Sequence, residues 1–271
     1  MREESRFLSF SGTRVHFCVI RPDVPVRNRL MLLSSPLTGT FHYRKLLPEL
    51  DGLGCLTVLA DLPGFGKGDP GAPQDNDARA GMLWGVLDDV DRAFGAPLSL
   101  WHLGGHGLAC AAVLSMAALY PDSVKSQIHI APLFSLAPPA KRAADTPRWF
   151  RENVLDAPRF KQMIERYAGF PLDDYIVDRM RAPLLRPGGE ATFERMLRQS
   201  AAPPKVGMGF CPTMALIGRR DPLMDEPRLS QIRTLLADAE LQHLPSAGHF
   251  PMETHSKALR DYLRGWIRYN E

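Results

Sequence analysis

The sequence predicts an α/β domain built on a mostly parallel sheet with helices on both faces. Two observations lead to this. Short apolar runs of strand length alternate with stretches of helical periodicity over most of the chain, the pattern of βαβ units. The composition, 45% hydrophobic and 23% charged over 271 residues, is that of an ordinary globular protein with enough chain for one large domain or two small ones.

Taken in order, Arg29 to Leu33 reads as a short buried strand, and a helix-like stretch follows from Phe41 to Leu50, stopping near Gly52 and Gly54. Cys55 to Asp61 is a second strand, ending at the turn-forming Leu62-Pro63-Gly64-Phe65-Gly66. Leu83, Val86, Leu87, Val90 and Phe94 fall on one helical face, with Gly95 as the stop. A strand around Leu98 to Leu103, a helix from Leu108 to Tyr120 and a strand from Ser126 to Ala131 continue the alternation. From Leu133 to Ala202 the pattern changes. Helical segments follow one another without a strand, punctuated by Pro138-Pro139, Pro171, Pro187-Gly188-Gly189 and Pro203-Pro204. Trp149, Phe150, Phe160, Tyr167, Phe170 and Tyr175 give this stretch much of the chain's aromatic content. The expected organisation is therefore a core of residues 1–132 and 203–271, with residues 133–202 as a helical insertion lying over the sheet as a lid. The alternation resumes with strand Thr213 to Gly218, helix Glu226 to Ala237 and strand Glu240 to Leu244. The final helix sets Leu259, Leu263, Trp266 and Ile267 on one face, with Ser256 as its expected cap.

Composition narrows the function classes. The net charge is +3, from 33 basic and 30 acidic residues of interspersed sign, which gives no nucleic-acid footprint. No apolar run approaches the roughly 18 residues that cross a bilayer, and the charged start Met1-Arg2-Glu3-Glu4-Ser5-Arg6 lacks a following apolar stretch. The four cysteines (Cys18, Cys55, Cys110, Cys211) are scattered without a C-x-x-C pair, so neither a disulfide framework nor a zinc cluster is expected, and a cytoplasmic setting is. Gly64-Phe65-Gly66 lacks the context of a dinucleotide fingerprint, and no cofactor or metal is implied.

Four landmarks then appear in a telling order: a loop at Leu32 to Thr40 after the first strand, Asp61-Leu-Pro-Gly-Phe-Gly after the second, Gly105-His-Gly-Leu-Ala followed by Tyr120-Pro121-Asp122, and Gly218-Arg-Arg-Asp221 followed by Ala247-Gly-His249-Phe250. With these the sequence resembles the α/β-hydrolase superfamily, in its single-lid, esterase- and dehalogenase-like form, over nearly the whole chain. The resemblance implies the α/β-hydrolase fold and a nucleophile on a tight strand–turn–helix elbow, G-x-S-x-G, with the Asp and His of a triad following in chain order.

The elbow departs from that pattern. The nucleophile position is held by Gly107, which has no side chain. One oxyanion donor in this fold is the N–H of the next residue, here Leu108, and the other comes from the loop after the first of these strands, usually His-Gly-x. Aligned on the family, that loop reads Ser34-Ser35-Pro36, and proline has no N–H; a shift of one residue restores Leu37 as donor. Asp221 and His249 stand where the resemblance puts the triad acid and base, so a base and its orienter are retained without a group to attack a carbonyl. The plain alternatives are a turn aspartate before Pro222 and a loop histidine in a structural hydrogen bond. His106 is expected to turn away from the pocket, and Cys110, one turn into the helix, to pack on the sheet. Ser34 and Ser35 either line the pocket mouth and bind polar substrate groups or merely satisfy the loop backbone. The arginines of the insertion, Arg148 to Arg198, are interleaved with acids and read as a solvated face.

Three functions fit. The first is an enzyme acting on a small, mostly apolar or aromatic molecule by general acid–base or water-activating chemistry from His249 and Asp221, in a pocket enlarged by Gly107, without a covalent acyl-enzyme: a lyase, an isomerase or epimerase, or a non-standard hydrolase. The second is a non-catalytic ligand-binding or interaction protein on the same scaffold. The third is a serine hydrolase in which Gly107 has been put in place of its nucleophile.

Overall fold

A computed structural model describes residues 2–95, 99–135, 147–199 and 211–271. One eight-stranded sheet organises them: β1 (Arg2–Phe10), β2 (Thr13–Arg21), β3 (Asn28–Ser34), β4 (Cys55–Asp61), β5 (Trp101–His106), β6 (Val124–Ile130), β7 (Thr213–Gly218) and β8 (Glu240–Leu244), in spatial order β1-β2-β4-β3-β5-β6-β7-β8. All pairings from β4 to β8 are parallel; β2 joins β4 antiparallel and β1 hangs on β2 as an antiparallel edge. This is the α/β-hydrolase fold expected from the sequence.

The hairpin of β1 and β2 was not among the expected elements. Its strands close on Ser11 and Gly12, with φ of 48° and 85°, the positive pair that a two-residue hairpin turn needs to match strand twist. Edge strand β1 keeps its charged residues in water, as an unpaired edge should.

The helices are α1 (Leu47–Gly52), α2 (Asn76–Ala93), α3 (Ala109–Leu119), α4 (Ala157–Ala168), α5 (Asp174–Arg181), α6 (Gly189–Gln199), α7 (Glu226–Leu235), α8 (Pro251–Thr254) and α9 (Ser256–Tyr269). The predicted Phe41–Leu50 helix is in fact a 3-10 turn, Thr40–Tyr43, and the short α1, which starts afresh with Pro48 in its first turn; proline fits there because its missing N–H would have had no partner. Helix α2 is capped by Asp75, whose carboxylate accepts from the Ala78 N–H at 2.8 Å. Ser256 is not the cap of the last helix: it is that helix's first residue, the preceding His255 holds the cap position, and no side chain caps it. The fifth strand runs three residues beyond the expected Leu103, to His106; Leu98, Pro138, Pro139, Ala202, Pro203 and Pro204 lie outside the described residues.

Helix α3 is buried from Ala109 to Ala117, which its run of alanines and short apolar side chains permits. It packs beside α2, and with α7 and β7 it closes a satellite apolar cluster of Cys110, Leu114, Ile217 and Ile232. Helices α4 to α6 fall between β6 and β7, with Phe150, Val154, Phe160 and Ile164 buried. On the other side of the first loop, Glu253 in α8 is enclosed by His42 at 2.8 Å, Arg44 at 2.5 Å and Lys45 at 3.1 Å. Burial alone would raise the pKa of this carboxyl, but the hydrogen bonds from His42 and Arg44 bring it down to about 2.

Candidate active site

The turn from β5 to α3 is pinned by backbone. Gly107 donates to the Ile130 carbonyl at 3.0 Å, and its own carbonyl accepts from Cys110 and Leu133, each at 3.1 Å. These bonds hold Gly107 at φ +55°, the left-handed region that glycine enters without a steric penalty. One residue earlier, a β-carbon on Gly105 would lie 2.9 Å from Val113 Cγ2 and 3.0 Å from the Ala109 backbone. The absent side chain lets the helix sit directly on its strand. A β-carbon built on Gly107 would lie 3.1 Å from Ser35 Oγ and 3.2 Å from His249 Nε2. The place a side chain would take is thus walled by two polar groups.

His249 is buried in the loop after β8. Its Nδ1–H donates to Asp221 Oδ2 at 2.7 Å, leaving Nε2 as the lone-pair nitrogen. Asp221 follows β7 in a turn closed by its own N–H on the Gly218 carbonyl, and its Oδ1 accepts from the Leu223 N–H at 2.9 Å. Two further bonds fix the histidine's backbone. The His249 N–H donates to the Tyr167 carbonyl at the end of α4 (2.7 Å), and its carbonyl accepts from His106 Nε2 (2.7 Å). Burial holds the pKa of His106 well below its ordinary value, so this ring is neutral and serves as a strut behind the loop.

The loop after β3 is a β-turn. Thr38 N–H bonds to the Ser35 carbonyl at 2.9 Å, Thr38 Oγ1 accepts from the Ser35 N–H at 2.8 Å, and Pro36 takes the second turn position that suits its fixed φ. The Ser35 N–H is thus consumed and Pro36 has none; Leu37 is the first residue whose N–H has no acceptor among the described residues, as is Leu108 at the elbow. The two serines part company. Of the two alternatives for these serines, Ser34 takes neither: its Oγ donates to the Asp61 carboxylate at 3.0 Å, buried away from the cavity, while Ser35 lies in the cavity wall. Cys110 is fully buried, its thiol on the Gly105 carbonyl and its pKa raised by desolvation, so no thiolate is presented there.

A cavity of about 590 Å³ opens in front of His249 and Ser35, with Leu108, Leu133, Trp149, Tyr167 and Phe193 among its walls. That volume is within the range of small-molecule sites. Trp149 stacks on Phe193 at 5.4 Å with a 2° interplanar angle. The sequence pointed to the aromatic insertion but missed Phe193, Phe250, Glu152 and Arg228, which tertiary packing brings to the cavity wall. Among the described residues, no group of three His, Cys, Asp or Glu side chains is placed to hold a metal ion, and no helix is long and apolar enough to cross a membrane.

The sheet order, the glycine-flanked elbow ahead of a buried helix, and an Asp–His pair delivered by the last two strands define an α/β-hydrolase scaffold. Residues 34–262 match the alpha/beta hydrolase family, and the chain belongs to it. Among solved structures it is similar to Cfl2 of Burkholderia cenocepacia, with 21% identity over 97% of this chain and 95% of that one and a TM-score of 0.73. It is also similar to a thermophilic esterase of Thermogutta terrifontis (18% identity, 100% and 99% covered, TM-score 0.74) and to the haloalkane dehalogenase DbeA of Bradyrhizobium elkani (15% identity, 99% of both chains, TM-score 0.76). At these identities the likeness is one of fold. No curated protein matches the chain.

Proposed function

We propose that the protein is an atypical enzyme of the α/β-hydrolase fold that uses His249, oriented by Asp221, as a general base toward a small, mostly apolar or aromatic molecule, with no covalent intermediate on the elbow. The observation that carries this reading is the free Nε2 of His249 facing a cavity of about 590 Å³ beside a residue with no side chain. An imidazole with one nitrogen tied to a carboxylate keeps a fixed tautomer and can take a proton at the other. Chemistry that needs a base but no acyl-enzyme fits this arrangement: elimination, isomerisation or epimerisation, or direct attack by an activated water. Helices α4 to α6 serve as the lid, tied to the base through the Tyr167 carbonyl. The setting is cytoplasmic, with a small molecule rather than nucleic acid or membrane as partner.

The test is a turnover screen of small aromatic esters, lactones, hydroxyketones and α-acidic carbonyl compounds, each hit repeated with His249→Ala. The expected loss is about 10²- to 10⁴-fold; a His249→Ala protein that keeps its rate excludes the reading. A second reading, a non-catalytic binding protein, is favoured by the absence of any side chain at the elbow position Gly107. Reproducible turnover of any compound that binds the cavity rules it out.

A further inference from the structure

Ser35 Oγ and His249 Nε2 approach the same point from two sides: each is within 3.2 Å of the position a β-carbon on Gly107 would take. Both belong to the cavity wall. The backbone N–H of Ser35 is held by Thr38 and the Nδ1–H of His249 by Asp221, which fixes both residues. Among the described residues neither Ser35 Oγ nor His249 Nε2 has a hydrogen-bond partner within the protein. The two atoms are complementary: a hydroxyl can donate, and Nε2 can only accept while Nδ1 carries the proton.

We propose that Ser35 and His249 together form a seat for a proton-bearing oxygen, that of an alcohol, phenol or enol on an apolar or aromatic body, or of water. Such an oxygen, resting against Gly107, donates its hydrogen to His249 Nε2 and accepts one from Ser35 Oγ. In the proton transfer the O–H bond breaks, an N–H bond forms on Nε2, and the electron pair stays on the oxygen, where the Ser35 hydroxyl stabilises the developing charge. The oxygen lies beyond the β-carbon position, where the end of a longer side chain on residue 107 would reach, and glycine leaves that approach unblocked. Relative to the family pattern, in which glycine stands in the loop and serine on the elbow, hydroxyl and hydrogen have changed sides across the pocket. The inference rests on His249 acting as the base and adds the group that holds the oxygen.

The test compares two probes of nearly equal shape, 2-naphthol and 2-methylnaphthalene, by calorimetric binding to the whole protein. The seat predicts that the wild type prefers the naphthol by tenfold or more. Ser35→Ala, which keeps the backbone bond to Thr38, is expected to lower naphthol affinity about 5- to 10-fold, the worth of one hydrogen bond, and to leave methylnaphthalene binding unchanged. A crystal structure with naphthol then assigns the source: its oxygen within 3.2 Å of both atoms identifies the ligand's own hydroxyl, and an ordered water there beside a naphthol bound elsewhere identifies water. Equal or absent binding of the two probes by the wild type overturns the proposal, as does an equal loss of both in Ser35→Ala, which is what a packing role gives. Failure here is separable from failure of the functional reading: loss of naphthol preference with turnover still dependent on His249 sinks only the seat, while preserved preference with turnover indifferent to His249 sinks only the base.

Discussion

Restoring a serine to the elbow is the sharpest perturbation of this site. Gly107→Ser puts a β-carbon on a residue at φ +55°, where a left-handed backbone costs a non-glycine residue about 1–2 kcal/mol. The new carbon also meets Ser35 Oγ at 3.1 Å and His249 Nε2 at 3.2 Å, inside the roughly 3.5–4.0 Å at which such atoms rest. Ser35 and His249 are both anchored, so neither yields freely, and the two contributions together come to about 2–3 kcal/mol. For a chain of this length that corresponds to a fall of about 4–6 °C in the thermal midpoint, measurable by calorimetry. The same variant is expected to gain no esterase activity toward 4-nitrophenyl acetate, because its side chain is pressed against Ser35 and His249 rather than seated to attack an ester. A variant as stable as the wild type refutes the steric argument. A hundredfold gain in ester hydrolysis refutes the broader one and returns the protein to the conventional serine hydrolases.

Acid should unfold the protein early. Burial pushes His102 down to about 4 and His129 to about 3, and lowers His106 well below its ordinary value. Unfolded, the three titrate near the ordinary histidine value of 6.5; their contribution is intact above that pH and shrinks as the pH falls below it, because only the unfolded chain takes up the protons. Urea unfolding between pH 7 and pH 5 should record a loss of about 2 kcal/mol for each of His102 and His129, with His106 adding in the same direction; a flat profile over that interval contradicts it. Glu253 titrates lower down. Its fall from 4.5 to about 2 is worth on the order of 3 kcal/mol, present above about 4.5 and lost as the pH drops through the folded value. Glu253→Gln, which strips the shared partner from His42, Arg44 and Lys45, should cost a similar amount at pH 7 in urea unfolding, and a loss under 0.5 kcal/mol would mean the cluster behaves as an ordinary surface pair.

The legible parts of the molecule were those written in local pattern. Cys55 to Asp61 is a mostly apolar, partly β-branched stretch bounded by turns, and it is β4 residue for residue. The elbow, Asp221 and His249 were found only through the family resemblance, since their local sequence alone marks no site. What escaped was set by tertiary surroundings. Strand β1 is charged and lies at an edge, so it carries neither an apolar run nor a clean alternation, although Ser11-Gly12 between two runs was a usable turn signal. Ser34 and Ser35 look alike in sequence, yet successive residues at a strand end face opposite ways; one hydroxyl goes to Asp61 and the other to the cavity. Ser256 has the right chemistry for a cap, but the chain enters α9 one residue early, at His255. The tie between Tyr167 and His249 joins segments 82 residues apart and left no trace in local sequence.

The claim on which the rest depends is that a base works here without a covalent partner. Intact-mass spectrometry after prolonged exposure of the wild-type protein to a fluorophosphonate probe tests it most directly. The account predicts an unchanged mass under conditions that fully label a serine esterase. A stoichiometric adduct mapped to any side chain lining the cavity, Ser35 included, would contradict it.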